Sequence, residues 1–375
     1  MMLYLDHAAT TPMRPGVVEA MAPYLEDRFG NPSGVHGVSR EAKNALEDAR
    51  ERVADALSCR PLEVVFTGGG TESDNLAVKG AALPGGRRGG VLTIATEHEA
   101  VLESARFLER LECPVTIVGV DQLGRIDIDE IAGSVDDATA VVSVMWANNE
   151  TGVIHPVEEI AAAVREANPN IVVHSDAVQA VVSEQLTAEA VDLLTVAGHK
   201  VGGPKGVGVL VVKEGVALEP VVHGGGQELG RRSGTHNVAG AVGMAMALEL
   251  AVADRKRLRA DVADARRRFE TAVKAERPDV TVNAPLDSRL VQHSHLRIPG
   301  IRNETVLIRL DQAGVAASAG SACQSGASSP SHVLTEMGLT GAEARECLRF
   351  SFGWTTVPED GEQAAKALLA ALPPT

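Results

Sequence analysis

Four short segments carry side chains suited to chemistry. Thr67-Gly68-Gly69-Gly70-Thr71-Glu72-Ser73 sets three glycines between an apolar run and a helical pattern. Glycines let backbone N–H groups close on an anion such as phosphate, and a helix N-terminus adds a favourable dipole. The same glycines also suit an ordinary tight turn, and no Gly-Lys-Ser/Thr follows them, which disfavours a nucleotide-triphosphate loop. Ser175-Asp176-Ala177-Val178-Gln179 follows the apolar run Ile171 to Val173. Ligands of open α/β sheets sit outside the carboxyl ends of the strands, although a plain acidic helix cap explains Asp176 equally well. Gly198-His199-Lys200-Val201-Gly202-Gly203-Pro204 stands past another such run. A lysine there can be a Schiff-base nucleophile if desolvation lowers its pKa; an exposed one is a solvated charge. Cys323 lies in Ala316 to Pro330, AASAGSACQSGASSP, a composition that reads as a mobile loop. The remaining cysteines, Cys59, Cys113 and Cys347, form no C-x-x-C pair and read as small buried apolar side chains.

The elements that must position these groups alternate in period. Short runs rich in β-branched residues recur at Glu63 to Thr67, Val91 to Ala95, Val115 to Val118, Thr139 to Met145, Ile171 to Ser175, Leu193 to Val196 and Val207 to Val212. Helical spacing separates several of them, as in Glu99 to Leu111 and Val157 to Ala167, and Ser39 is positioned to cap an amphipathic helix through Leu57. Strands alternating with helices predict an α/β chain with a mostly parallel seven-stranded sheet covered on both faces. A long charge-laced helix over Val238 to Ala275 follows, and then a smaller unit with strands near Leu290 to Ile298 and Leu348 to Phe352. A domain boundary is placed near residue 255.

Composition narrows the partners. The 375 residues are 45% apolar and 23% charged, and 35 basic against 50 acidic side chains leave a net charge of −15. Such a field repels nucleic-acid backbones and anionic membranes. With 3% aromatic residues there is little material for base-stacking platforms. No basic segment followed by an apolar core opens the chain, so a cytoplasmic protein is expected. His223-Gly224-Gly225-Gly226 suggests an oxyanion loop, but no Gly-x-Ser-x-Gly accompanies it. His7, His36, His98, His199 and His223 lack the i, i+3 or i+4 pairing of a helical metal site, and no resident metal is expected.

A phosphate cradle, an acid able to hold a pyridinium nitrogen and a lysine 24 positions later (200 − 176) together match the needs of pyridoxal 5'-phosphate. The chain resembles fold-type I pyridoxal phosphate enzymes of the class V aminotransferase group, and within it the cysteine desulfurases. The resemblance rests on Tyr4-Leu5-Asp6-His7-Ala8-Ala9-Thr10-Thr11-Pro12, Phe29-Gly30-Asn31-Pro32-Ser33, Thr71-Glu72-Ser73-Asp74-Asn75, Asn148-Asn149-Glu150-Thr151-Gly152, His174 to Gln179, Gly198-His199-Lys200, Arg232-Ser233-Gly234-Thr235 and Gly320-Ser321-Ala322-Cys323.

The resemblance implies a large cofactor-binding domain over 15–255 and a small α+β domain formed by 1–14 with 256–375, whose loop 319–330 carries the catalytic cysteine. It implies that Lys200 holds the cofactor and later moves protons. Asp176 would pair with the ring nitrogen, and His98 would stack on the ring and serve as acid or base. Asn149 and Gln179 would bond the phenolic oxygen, Asn149 lying also beside the substrate. Gly70, Thr71 and His199 would hold the phosphate, with Thr235 reaching in from a second subunit of a homodimer. Arg349 would take the substrate carboxylate. Cys323 would accept sulfur from L-cysteine as a persulfide and pass it to an iron–sulfur scaffold or a sulfur carrier for tRNA thiolation, with transient cluster ligation at Cys323 a further possibility. A selenocysteine lyase, or another class V lyase or aminotransferase, is the alternative. Ala197 departs from a serine common in the group, which implies weaker cofactor retention.

Overall fold

The computed structural model describes residues 2–186, 188–320 and 330–373. In chain order its strands are β1 Leu3–Tyr4, β2 Val64–Thr67, β3 Gly90–Ile94, β4 Val115–Val118, β5 Thr139–Ser143, β6 Val172–Asp176, β7 Leu193–Ala197, β8 Gly208–Val212, β9 Thr281–Val282, β10 His293–Arg297, β11 Val315–Ala316 and β12 Cys347–Ser351. Seven of them form the central sheet in the order β2-β8-β7-β6-β5-β3-β4. β8 runs antiparallel to both neighbours, while β7, β6, β5, β3 and β4 pair in parallel. Helices cover both faces, so β2, β3, β7 and β8 are buried at every position, as the unbroken apolar runs require. The fold is the mostly parallel α/β class that the alternating periods predict. The direction of β8 follows from its connection: residues 198–207 leave ten positions, too few for a crossover.

Two differences at element ends have local causes. The helix Gly37–Leu57 begins two residues before Ser39, because the His36 side chain caps it by accepting from Ser39 N at 3.3 Å. The chain also leaves β5 at Ser143, two residues before the expected Met145, because the Met145 N–H turns away to the Glu97 carboxylate.

The helix Val238–Glu276 is one unbroken rod of 39 residues, about 58 Å at 1.5 Å per residue. Its first half, from Val238 to Ala251, joins the core beneath the central sheet. Its second half, from Leu258 to Val273, joins a different core with Leu3, Leu5, Phe350 and Leu368. Phe269 anchors the second core with its ring centroid 4.7 Å from Phe350 and 6.0 Å from Phe352. That core rests on the antiparallel sheet β12-β10-β9 and on the parallel pair β1-β11, which folds the N-terminal residues against the C-terminal unit. Of the three described cysteines, Cys113 and Cys347 are buried, whereas Cys59 is only partly so.

His155 offers a test of how tightly the large core is sealed. Neither of its ring nitrogens has a hydrogen-bond partner, and burial lowers its pKa to about 4. The unfolded chain therefore binds the proton first as pH falls, and wild type loses about 1.4 kcal/mol per pH unit from about pH 6.5 down to about pH 4 through this group. The expected result is that a His155→Leu variant gains on wild type by about 2 kcal/mol between about pH 7 and about pH 5, read from urea midpoints. A constant gap between the two would mean that the imidazole protonates inside the fold.

Candidate active site

The carboxyl ends of β2, β3, β5, β6 and β7 open toward one cavity of about 420 Å³, within the range of small-ligand sites. Gly70, Thr71, His98, Asn149, Asp176, Gln179, His199, Lys200 and Arg349 all line it. Thr235 is exposed and lines neither this cavity nor the recess beside it. Cys323 lies outside the described residues; the flanking Gly320 and His332 both line the cavity.

At one end, the helix Gly70–Ala82 starts directly after β2 with no side-chain cap on its first turn. Glu72, the acid of that turn, pairs with Arg232 at 2.6 Å and accepts from Gly68 N at 2.8 Å, which leaves the N–H groups of the helix start itself without a side-chain partner. Backbone comes close behind the turn: a Cβ on Gly208 would stand 2.7 Å from the Gly69 carbonyl carbon, so only glycine fits there. His199 holds Thr10 Oγ1 at 3.2 Å from the other side. Uncapped N–H groups at a helix start suit an anion. Lys205, which the sequence reading did not single out, lines the adjoining recess with Gly68 to Thr71.

The floor is acidic. Asp176 ends β6 and is buried, its Oδ1 accepting from Val178 N at 2.9 Å. Burial raises its pKa above the usual carboxylate range, and His98, the Val178 N–H and the Lys200 ammonium offset only part of that rise. His98 caps the helix Glu99–Glu109 by accepting from Ala100 N at its Nδ1, 3.1 Å away. That bond places the ring proton on Nε2.

Lys200 stands on the single turn Gly198–Val201 past β7. The N-terminal segment folds over it, so that Nζ donates to the carbonyls of Ala8 and, at 2.9 Å, of Ala9. Gln179 Nε2 donates to the Ala8 carbonyl at 3.0 Å. Lys200 thus lies between the acidic floor and a rim of carbonyls.

Arg349 lies on β12 at the opposite wall, 1% exposed. It pairs with Asp6 at 2.7 Å and donates to the carbonyls of Asn149 at 2.9 Å and Gly320 at 3.1 Å, while its Nε–H has no hydrogen-bond partner. His295 opposes it across β10, and burial first, then the Arg349 charge, lowers the His295 pKa to about 3. Glu150 accepts from Ser331 Oγ at 2.7 Å. Sequence reasoning missed the chemistry of Asp6, Asp74, Glu97, Glu150, His174, His293 and His295, although the segments holding Asp6, Asp74, Glu150 and His174 were already singled out.

These residues fit pyridoxal phosphate: an uncapped helix start for the phosphate, a buried acid for the ring nitrogen, a lysine between them and an orphaned guanidinium donor for a carboxylate. The aminotransferase class-V family model matches residues 3–363, and the chain belongs to that family. It is 40% identical over 361 residues to the "Cysteine desulfurase IscS" of Dictyoglomus turgidum, covering 96% of this chain and 91% of the relative. It is 43% identical over 383 residues to the "IscS-like cysteine desulfurase" of Mycobacterium tuberculosis, covering 99% and 96%. Among solved structures, a "NifS-like protein" superposes with a TM-score of 0.92 at 34% identity, covering 99% of this chain and 100% of that one. "SspA in complex with cysteine" superposes with a TM-score of 0.81 at 34% identity, covering 95% and 100%.

Proposed function

We propose that this protein is a pyridoxal phosphate-dependent cysteine desulfurase that converts L-cysteine to L-alanine and moves the sulfur onto Cys323. The observation that carries the reading is one cavity uniting Lys200, Asp176, His98 and Arg349. When bound, the cofactor supplies an electron sink for the substrate's carbon skeleton. Gly70, Thr71 and His199 hold its phosphate, Asp176 its ring nitrogen, and Asn149 and Gln179 its phenolic oxygen.

Arg349 takes the substrate carboxylate, and its partner Asp6 fixes the direction of the guanidinium. Lys200 Nζ takes the proton from the substrate α-carbon and returns one as alanine forms. His98 covers the ring and donates from Nε2. The Cys323 thiolate forms an S–S bond with the substrate sulfur while the C–S bond breaks; the electron pair stays on carbon, which takes a proton to become the methyl group of alanine. Cysteine plus thiol gives alanine plus persulfide with no external oxidant, and the persulfide passes to an acceptor protein of iron–sulfur assembly or tRNA thiolation.

The two separate cores support a two-domain division near residue 255. The exposure of Thr235 supports a homodimer in which Thr235 of the partner subunit completes the phosphate site. Unpaired described cysteines suit the reducing cytoplasm, and the net charge of −15 argues against nucleic acid as a partner. Among the described residues no helix is long and apolar enough to cross a membrane.

The test is product analysis. Cofactor-loaded protein given L-cysteine and a thiol reductant should release alanine and sulfide in equal amounts; bound cofactor with no alanine would overturn the reading, and turnover confined to selenocysteine would install the lyase alternative. Arg349→Lys keeps the charge but loses the planar fork, so KM for L-cysteine should rise about 10- to 100-fold with a smaller change in kcat. An unchanged KM would remove Arg349 from carboxylate binding.

A further inference from the structure

The lysine at the centre of the site stands on little structure of its own. Its helix, Gly198–Val201, is four residues long, a single turn with no length over which helical bonding propagates, and its last carbonyls must find partners elsewhere. The N–H groups of Gly202 and Gly203 both close back on the Gly198 carbonyl, the second at 2.9 Å. At the far end of the turn the donors come from the N-terminal segment: Thr11 N donates to the His199 carbonyl at 3.1 Å, Arg14 N to the Gly202 carbonyl at 2.8 Å, and Arg14 Nε to the Val201 carbonyl at 3.0 Å. A Cβ on Gly202, whose φ is +85°, would stand 2.6 Å from Arg14 Cγ, so the stem of Arg14 lies directly against the end of the turn.

Arg14 is itself held from the other side. It is 6% exposed, its Nη1 pairs with Asp254 at 3.2 Å, and its guanidinium carbon lies 5.4 Å from the centroid of the Trp354 ring. Asp254 also pairs with Arg257 at 2.6 Å, and Arg257 donates to the Trp354 carbonyl at 3.2 Å. On the helix Val238–Glu276, Asp254 falls between Ala251, which belongs to the large core, and Leu258, which belongs to the second core, against which Trp354 also packs. One side chain therefore runs from the joint between the two cores to the carbonyl that follows Lys200.

As a fastening for stability alone the arrangement is a poor one. Arg14 Nη2 is buried with no hydrogen-bond partner, and apolar groups of similar volume often replace a buried ion pair at no loss. What an apolar side chain cannot do is hold a carbonyl in a fixed direction.

We propose that Arg14 is a positioning residue for Lys200: by tying the Val201 carbonyl to Asp254 it fixes the turn from which Nζ reaches the cavity. The inference rests on the cofactor reading given above for Lys200, and Arg14 itself does not line the cavity.

The test is the rate at which pyridoxal phosphate attaches to the apoprotein, read by absorbance, set beside the equilibrium binding of pyridoxine phosphate, which lacks the aldehyde and so needs the cavity but not the amine. Arg14→Met, similar in length and without donors, should slow attachment about 10- to 100-fold, the cost of misplacing a reacting group by about 1 Å, and leave the dissociation constant of pyridoxine phosphate unchanged. Arg14→Lys keeps the charge but not the fork that reaches Val201 and Asp254 together, and it should be slowed as well. Attachment at the wild-type rate in either variant overturns the proposal. If Arg14→Met loses pyridoxine phosphate binding, the cavity itself is disturbed and Asp254→Asn decides: it removes the charge that aims Arg14, so slower attachment with unchanged pyridoxine phosphate binding upholds the proposal, and wild-type attachment overturns it. A wild type that attaches the cofactor but makes no alanine rejects the desulfurase reading alone; a wild type that makes alanine beside an Arg14→Met variant that attaches the cofactor equally fast rejects this inference alone.

Discussion

Replacing Cys323 by serine is expected to abolish sulfur transfer from L-cysteine while leaving the folded protein and its cofactor binding intact. The substitution keeps the size of the side chain and removes the one property the reaction uses, a thiolate able to attack sulfur. A serine hydroxyl does not ionise at neutral pH, so alanine formation should fall at least about 10³-fold, the order seen when a nucleophile is deleted. The other cysteines do not substitute for it: burial pushes the Cys59 and Cys347 thiols up to about 12 and raises Cys113 as well, so none supplies thiolate at neutral pH. The backbone carbonyl of Gly320 is bonded to Arg349, the group proposed to take the substrate carboxylate. Cys323 is three residues further on, at most about 11 Å of chain. The decisive comparison is alanine release by wild type and Cys323→Ser at equal cofactor occupancy, with persulfide on the wild-type protein read by mass. Equal alanine release would mean that sulfur leaves without this residue, and the lyase alternative would take over.

The legible part of the site was the part written at strand ends. Gly70, Asp176 and Lys200 each follow an apolar run directly, and an α/β sheet gathers such positions at one edge, so three weak segments point to one place before any coordinates exist. The reversed direction of β8 is not written in the run itself, because an apolar run has the same composition read either way; it is written in the ten-residue link before it, too short for a crossover. The change of core within the helix Val238–Glu276 is also silent in the pattern: helical periodicity continues through Asp254 to Leu258 while the partners of the buried face change. The buried acids and histidines were missed for a different reason. His174 sits inside the run Val172–Asp176 with an apolar residue before it, and nothing in its spacing tells a sealed neutral imidazole from an exposed one; that depends on Ser143 and Thr195, which reach it from neighbouring strands. Asp6 is equally mute in sequence, since its partner Arg349 lies 343 positions away.

Lys200→Ala should reduce cysteine turnover about 10²–10⁴-fold through loss of proton transfer alone, and further through loss of its hold on the cofactor. In the proposed mechanism both losses fall on the same amine. Nζ lies between the carbonyls of Ala8 and Ala9 and the side of the cavity where its charge lowers the Asp176 pKa. Removing it therefore acts on Asp176 as well: with the Lys200 ammonium gone from beside a buried carboxylate, Asp176 takes up a proton more readily and pairs less well with the ring nitrogen. Free cofactor affinity should consequently fall in Lys200→Ala, and an added primary amine should restore part of the proton transfer but none of the Asp176 effect, because the freely diffusing amine is not fixed beside the floor of the cavity. Lys200→Arg separates the two contributions. It keeps a cation near Asp176 but carries a group that stays protonated and cannot accept the α-proton, so it should bind cofactor more tightly than Lys200→Ala and turn over no faster. Measured cofactor dissociation constants and single-turnover rates for the two variants check this; if arginine and alanine bind cofactor alike, the charge of Lys200 does not act on Asp176, and the lysine's contribution is proton transfer and attachment only.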